Sequence, residues 1–319
     1  MLTDDPELAG ERLRAGDLVA LPTETVYGLA ADAANATALR RLYAVKGRPA
    51  DHPSIVHLAD AADAPAWSAA WPDAAQTLAD AFWPGPLTLV LPAGERAAPE
   101  ALGGTGAIAL RVPDHALTRA AIRASGTGVA APSANRFGRV SPTTALHVAE
   151  DLGRDVDLIL DGGPCVVGVE STIVDLTGAQ PRILRPGAVT EAMVAEALAA
   201  PLGAVGDDAP RAPGTLAAHY APHLPVTVVE DPSEVADPAS TVLIAPSGTP
   251  AAGFHAVIDA GATREDYAAC IYAMLRAADM SGAARIAVVP PRPGGIGDAV
   301  RDRLRRAAHG GGASADERT

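Results

Sequence analysis

Short apolar runs alternate with amphipathic stretches through the first 200 residues of this 319-residue chain. Leu18-Val19-Ala20-Leu21 reads as a buried strand, and Leu39, Leu42 and Val45 give the stretch from Thr37 to Val45 helical spacing. Ile55 to Leu58, Leu87 to Leu91 and Ile108 to Val112 read as further strands. Asp114 is the expected N-cap of a helix running through Leu117 and Ile122. Val129 to Ala131, a helix after Thr143, the strands Leu158 to Leu160 and Ser171 to Val174, and a helix from Thr190 to Leu198 continue the pattern. Alternation of this kind implies an α/β sheet with helices packed on it.

The pattern breaks between Pro201 and Pro225, where prolines and glycines punctuate a polar stretch. Strand-like runs resume at Val226 to Val229, Val242 to Ala245, Ala256 to Ile258 and Ile286 to Val289. Helices are expected from Glu265 to Ala278 and from Asp298 to Ala308, the second following Gly294-Gly295-Ile296-Gly297. The expected domains are therefore 1–200, a linker at 201–225, a small α/β unit at 226–310 and a frayed tail at 311–319.

Composition narrows the function. A net charge of −13 and 3% aromatic residues oppose a broad grip on nucleic acid, so stable DNA binding is not expected. Cys165 and Cys270 lie far apart and form neither a metal motif nor a disulfide framework, which suits a reducing cytoplasm. The amino terminus is acidic and polar rather than a signal peptide, and no apolar run approaches the ~20 residues needed to cross a bilayer.

Five segments carry chemistry. Lys46 is the only lysine among 25 basic residues, and it opens Lys46-Gly47-Arg48-Pro49. An ammonium is a compact charge that a planar guanidinium does not replace freely; drift toward arginine is the bland alternative. With His52, Lys46 and Arg48 put two certain cations and a possible third on a proline-stiffened stretch suited to a polyphosphate. Pro22-Thr23-Glu24-Thr25 follows a buried strand and offers two hydroxyls and a carboxylate, or else a Thr-capped turn. Arg111 inside an apolar strand requires an anion, either a substrate carboxylate or an internal Asp or Glu. Pro132-Ser133-Ala134-Asn135 and Ser141 can present hydroxyl and amide groups to phosphate, or serve as turn and cap residues. Asp161-Gly162-Gly163-Pro164-Cys165 precedes Gly168-Val169-Glu170-Ser171-Thr172, with Arg185-Pro186-Gly187 beyond. Nothing nearby supplies a His–Asp relay for Cys165 as a nucleophile. No Walker or GxGxxG pattern is present.

Together these segments resemble the long-form threonylcarbamoyl-AMP synthases. The matching stretches are PTETVYGL at Pro22 to Leu29, KxRP at Lys46 to Pro49, the strand ending at His57 and ALRVP around Arg111. PSAN at Pro132 to Asn135, SPT at Ser141 to Thr143, DGG…GxEST at Asp161 to Thr172, RPG at Arg185 to Gly187, and HYAP at His219 to Pro222 continue the match in order. The resemblance implies a YrdC-like catalytic domain, a twisted open sheet with flanking helices around a concave cavity, and a small Rossmann-like α/β domain after it. It implies that L-threonine, bicarbonate and ATP give threonylcarbamoyl-AMP and pyrophosphate. Downstream tRNA threonylcarbamoyl transferase machinery then uses the adenylate beside the anticodon. It assigns Lys46 and Arg48 as catalytic cations. Lys46, Arg48, His52, Ser133, Asn135, Ser141, Arg185 and Tyr220 would face ATP, with Tyr220 on a linker that serves as a lid. Thr25, His57, Arg111, Ala131 and Ser171 would face threonine, and Ser133 and Asn135 would approach Mg2+ through the phosphates.

Three residues depart from the family pattern. Ser54 stands where an aliphatic residue is expected, and Phe137 and Val140 replace smaller or proline-like residues after Asn135. Two other readings remain at this level: a double-stranded RNA-binding module linked to ribosome maturation, and a carbamoyl-adenylate enzyme fed by carbamoyl phosphate. The acidic balance opposes the first, and the second leaves Arg111 and Thr25 without a carboxylate to bind.

Overall fold

The computed structural model describes residues 1–49, 51–206, 209–214 and 219–310. They fall into two compact units. The first comprises Met1–Phe137, Pro142–Val166 and Glu170–Thr215; the second comprises Gly138–Ser141, Val167–Val169 and Leu216–Thr319. The described parts of the expected linker contain no helix or strand, and 201–206 and 209–214 belong to the first unit. The expected tail at 311–319 lies outside the described residues.

The first unit is built, in chain order, from β1 (Leu2–Thr3), α1 (Pro6–Arg14), β2 (Val19–Leu21), β3 (Gly28–Asp32), α2 (Ala36–Lys46) and β4 (Ile55–His57). Then come α3 (Asp73–Phe82), β5 (Leu87–Pro92), α4 (Pro99–Leu102), β6 (Ala107–Arg111), α5 (Ala116–Ser125), β7 (Val129–Ala130) and α6 (Ala145–Leu152). β8 (Leu158–Leu160), β9 (Thr172–Asp175), β10 (Arg182–Arg185) and α7 (Glu191–Leu198) complete it. Its strands form one mixed sheet in the order β1-β8-β2-β3-β7-β4-β6-β5-β9-β10. The central strands are buried along their whole length, which is why they read as apolar runs rather than as alternation. The main core gathers Leu29, Leu39, Leu42, Val56, Leu89 and Leu110 beneath α2 and α3.

α2 shows how the sequence sets the site. Asn35 caps it by accepting from the N–H groups of Thr37 and Ala38. Ala38, Leu39, Leu42, Tyr43 and Lys46 form its buried face. Gly47 ends it with φ 62°, a left-handed conformation that suits glycine at this position. Lys46 is thus the last residue of the helix on its inward stripe, rather than the first residue of a loop.

The second unit contains β11 (Val226–Val228), β12 (Thr241–Ala245), β13 (Ala256–Asp259), α8 (Arg264–Asp279), β14 (Arg285–Val288) and α9 (Ile296–Gly310). Its sheet is parallel throughout, in the order β11-β14-β12-β13. Among the described residues no helix is long and apolar enough to cross a membrane.

The helix expected from Asp114 starts later. His115 occupies the cap position of α5 without a side-chain bond, and the backbone N–H of Asp114 donates to Glu24 instead.

Candidate active site

Lys46 is 3% exposed, and its Nζ donates to the backbone carbonyls of Ser133 and Asn135, the latter at 2.6 Å. Its carbonyl in turn accepts from the N–H of Phe137 at 2.8 Å. The lone lysine therefore ties the end of α2 to the Pro132-Ser133-Ala134-Asn135 loop. Burial, and then the charge of Arg48, hold its ammonium well below the ordinary lysine range. Arg48 donates to the Pro53 carbonyl at 2.6 Å. His52 packs edge-on against Phe137, with ring centroids 5.6 Å apart. Burial and Arg48 lower the His52 pKa, which disfavours the third cation that the sequence leaves possible. Ser54, the first departure from the family pattern, is absorbed by a 3.0 Å hydrogen bond to the Tyr43 hydroxyl.

The second group forms where β4 and β6 run parallel. His57 and Arg111 are register partners at their carboxyl ends. Arg111 has an internal anion: its Nη2 donates to Glu24 Oε1 at 2.6 Å, with side chains 4% and 5% exposed. Its Nε donates to the Gly85 carbonyl at 3.2 Å. Glu24 also accepts from the Asp114 N–H at 3.1 Å. Of the two anions the sequence left open, the internal one is present: it is Glu24, to which sequence reasoning assigned no role. The only signal was its place in the Thr-Glu-Thr turn after a buried strand. No partner for Arg111 Nη1 is found among the described residues, so one arm of the guanidinium remains for a ligand.

His57 is buried, and burial followed by the Arg111 charge pushes its pKa down to about 3. Its Nδ1 has no hydrogen-bond partner among the described residues. A neutral imidazole with an unmatched ring nitrogen is suited to hydrogen bonding with a bound ligand. Thr25 is buried, with its hydroxyl 2.8 Å from that of Thr23. Thr23 shapes the turn by accepting from the N–H groups of Thr25 and Val26, each at 3.1 Å. The main chain knits this turn to the next loop: Leu29 N–H donates to Pro132, Ala134 N–H to Tyr27, and Ala131 N–H to Ile55.

Ser171 and Arg185 meet directly. Arg185 Nη2 donates to the Ser171 hydroxyl at 3.1 Å, its Nε donates to the Ser171 carbonyl at 3.0 Å, and its Nη1 reaches the Pro213 carbonyl at 2.9 Å. The Ser171 hydroxyl is also 2.7 Å from that of Thr88. Cys165 is buried, and burial pushes its thiol up to about 12, a direction that disfavours the thiolate.

Two expected residues belong to the second unit. Ser141 is buried in its 138–141 segment, where the carbonyl of Val140 accepts from Arg276 at 2.7 Å. Tyr220 is 1% exposed, with φ 63°. Its ring stacks on Tyr272 at 5.5 Å, and the Arg303 guanidinium lies over it at 5.5 Å. Tyr220 is thus packed into the second unit's core. No local pattern announces that packing, because both partners lie more than fifty residues away.

No group of three or more His, Cys, Asp or Glu side chains suited to a metal occurs among the described residues. Around Lys46 the protein offers the cations Arg48 and Arg136, neutral carbonyl oxygens and a single carboxylate, Asp151, acting through its charge. That donor set does not fit a resident divalent ion.

A mixed α/β sheet that gathers buried cations, hydroxyls and a neutral histidine at its strand ends, followed by a small parallel domain, defines the class: a two-domain enzyme with a YrdC-like first domain and a Rossmann-like second. Residues 11–187 match the family described as Telomere recombination, and residues 189–309 match the family described as Threonylcarbamoyl-AMP synthase, C-terminal domain. Threonylcarbamoyl-AMP synthase of Pyrococcus abyssi is 39% identical over 316 residues, covering 94% of this chain and 93% of that protein. Its counterpart in Bacillus subtilis is 43% identical over 240 residues, covering 73% of this chain and 69% of the other. The crystal structure of P. abyssi Sua5 complexed with L-threonine superposes with a TM-score of 0.89 at 36% identity, over 97% of this chain and 98% of that one. The chain belongs to the threonylcarbamoyl-AMP synthase family.

Proposed function

We propose that this protein condenses L-threonine, bicarbonate and ATP into threonylcarbamoyl-AMP, releasing pyrophosphate and water. The amino group of threonine takes up the bicarbonate carbon with loss of water, giving a carbamate. A carbamate oxygen attacks the α-phosphorus of ATP, and the bond from that phosphorus to the bridging oxygen of pyrophosphate breaks. Such transfers gain most from positioning and from cations around the phosphates.

The observation that carries the reading is the buried Glu24–Arg111 pair with one guanidinium arm free beside a neutral His57. A fork fixed by Glu24 and Gly85 is preorganised for the carboxylate of an amino acid. Thr25, Ala131 and Ser171 complete the threonine set in this proposal. Arg48, His52, Ser133, Asn135, Ser141 and Arg185 form the ATP set. Lys46 acts on both counts: it fixes the Ser133–Asn135 carbonyls, and its charge is favoured when polyphosphate arrives. Tyr220, whose ring stacks on Tyr272, is assigned to the nucleotide in this proposal. Mg2+ belongs to the substrate in this account, carried on the ATP phosphates. The catalytic domain is 1–200, joined by the stretch 201–225 to the domain at 226–310. The product passes in the cytoplasm to a tRNA threonylcarbamoyl transferase.

Mass spectrometry of the product made from ATP, threonine and bicarbonate tests the proposal. Threonylcarbamoyl-AMP is expected; ATP cleavage at full rate without threonine would overturn it.

A further inference from the structure

The second unit holds a cavity of about 720 Å³ that the reaction above does not use. Its size lies within the range of small-molecule sites. It opens at the carboxyl ends of the parallel strands: Glu230 follows β11, Ser247 follows β12, Thr263 and Arg264 begin α8, and Arg292 follows β14.

The topology makes this position special. After β12 the chain moves outward to the neighbouring edge strand β13. After β14, the strand paired with β12, it turns the other way, and α9 packs against β11. Adjacent strands whose connections leave in opposite directions open a crevice between their carboxyl ends, the place where such sheets take ligands. Residues after β12 and after β14 both line this cavity.

The charges there are arranged with two free groups. Arg264 donates to the carbonyls of Arg292 at 3.1 Å and Pro293 at 2.8 Å. Arg301 donates to the Pro291 carbonyl at 3.0 Å and pairs with Glu230 at 2.5 Å. These two arginines therefore fasten the 291–293 segment to α8 and α9. Gly297 lets that segment close in, because a Cβ there would stand 2.5 Å from the Arg292 carbonyl and 3.1 Å from Arg264 Cδ. The side chains of Arg292 and Glu265 also line the cavity, and neither has a hydrogen bond or ion pair among the described residues. A free guanidinium suits a phosphoryl group, and a free carboxylate suits sugar hydroxyls.

We propose that this cavity is a second ligand site for a nucleoside phosphate, with Arg292 on the phosphoryl group and Glu265 on the ribose hydroxyls. The inference is independent of the proposed reaction, since it uses none of the residues assigned to ATP or threonine.

Hydrogen–deuterium exchange of the full chain tests it, with AMP, ATP and pyrophosphate as separate probes at millimolar concentration. AMP and ATP should slow exchange in peptides covering 262–267 and 289–297. Arg292→Glu should weaken that effect about tenfold or more, the loss expected for one charge-assisted contact. Arg185→Ala, which alters the first unit, should leave it in place. Glu265→Gln should weaken AMP more than pyrophosphate. Absence of protection with every probe would overturn the site. So would protection that survives Arg292→Glu, protection by pyrophosphate alone, or protection by a tRNA but by neither nucleotide. Product formation measured in parallel decides the proposed reaction separately.

Discussion

Replacing Glu24 with alanine should destabilise the first unit more than any single surface change. The substitution strands Arg111, whose side chain is 4% exposed, without its 2.6 Å carboxylate partner. Removing one member of a buried ion pair costs about 3–5 kcal/mol, because the remaining charge stays desolvated. The Asp114 N–H loses its acceptor as well, at a cost of about 1 kcal/mol or more. Glu24→Gln keeps an acceptor oxygen in place and should cost about half as much. The double variant Glu24→Ala, Arg111→Ala should be no less stable than Glu24→Ala alone, since the stranded charge is gone. All three tryptophans, Trp67, Trp71 and Trp83, lie in the first unit, so urea unfolding followed by tryptophan fluorescence reports that unit alone. The same variants should raise the KM for threonine, because the free arm of Arg111 loses its fixed direction. A Glu24→Ala protein within about 1 kcal/mol of the parent, or strict additivity in the double variant, would refute the reasoning.

Lys46→Ala should lose at least ~2 kcal/mol of transition-state stabilisation, and Lys46→Arg should not restore it, because a planar fork does not replace an ammonium between two buried carbonyls; near-normal pyrophosphate release by Lys46→Arg would show the lysine to be incidental. His57 is held neutral, with a pKa near 3 against an ordinary value of 6.5, so the unfolded chain binds the extra proton and stability falls as pH drops through the window between those values. His57→Gln should flatten that part of the urea-derived stability profile, and an unchanged slope would contradict the assignment. Iodoacetamide at pH 8 should label the exposed Cys270 and spare Cys165 in the native protein, and Cys165→Ala should keep turnover; inactivation by selective labelling of Cys165 would reverse this.

The strands rich in leucine, isoleucine and valine were legible because they are buried on both faces, and β4, β5, β6, β8 and β12 fall within a residue or two of where the sequence places them. β3 was not legible, since Gly28–Asp32 is mostly alanine and glycine and follows a polar turn. Its strand form comes from pairing with β2 and β7, which no local pattern announces. β10 was missed because two of its four residues are arginines, one of them committed to Ser171. Lys46, Arg48 and Arg111 stood out as candidates from residue type and position, whereas His57 was singled out only through the family resemblance. What they touch could not be read there. The Glu24 carboxylate reaches Arg111 across 87 residues of sequence, and Lys46 reaches Asn135 across 89. The same holds for Tyr220, whose partners come from α8 and α9.

The central claim is that bicarbonate carbon and threonine leave this enzyme joined to AMP. It is tested most directly by supplying carbon-13 bicarbonate with threonine and ATP and weighing the adenylate formed. The account predicts a threonylcarbamoyl-AMP that carries the label, formed together with pyrophosphate and absent when either threonine or bicarbonate is withheld. An adenylate without the label, or a labelled product formed at the same rate by the Arg111→Ala variant, would contradict it.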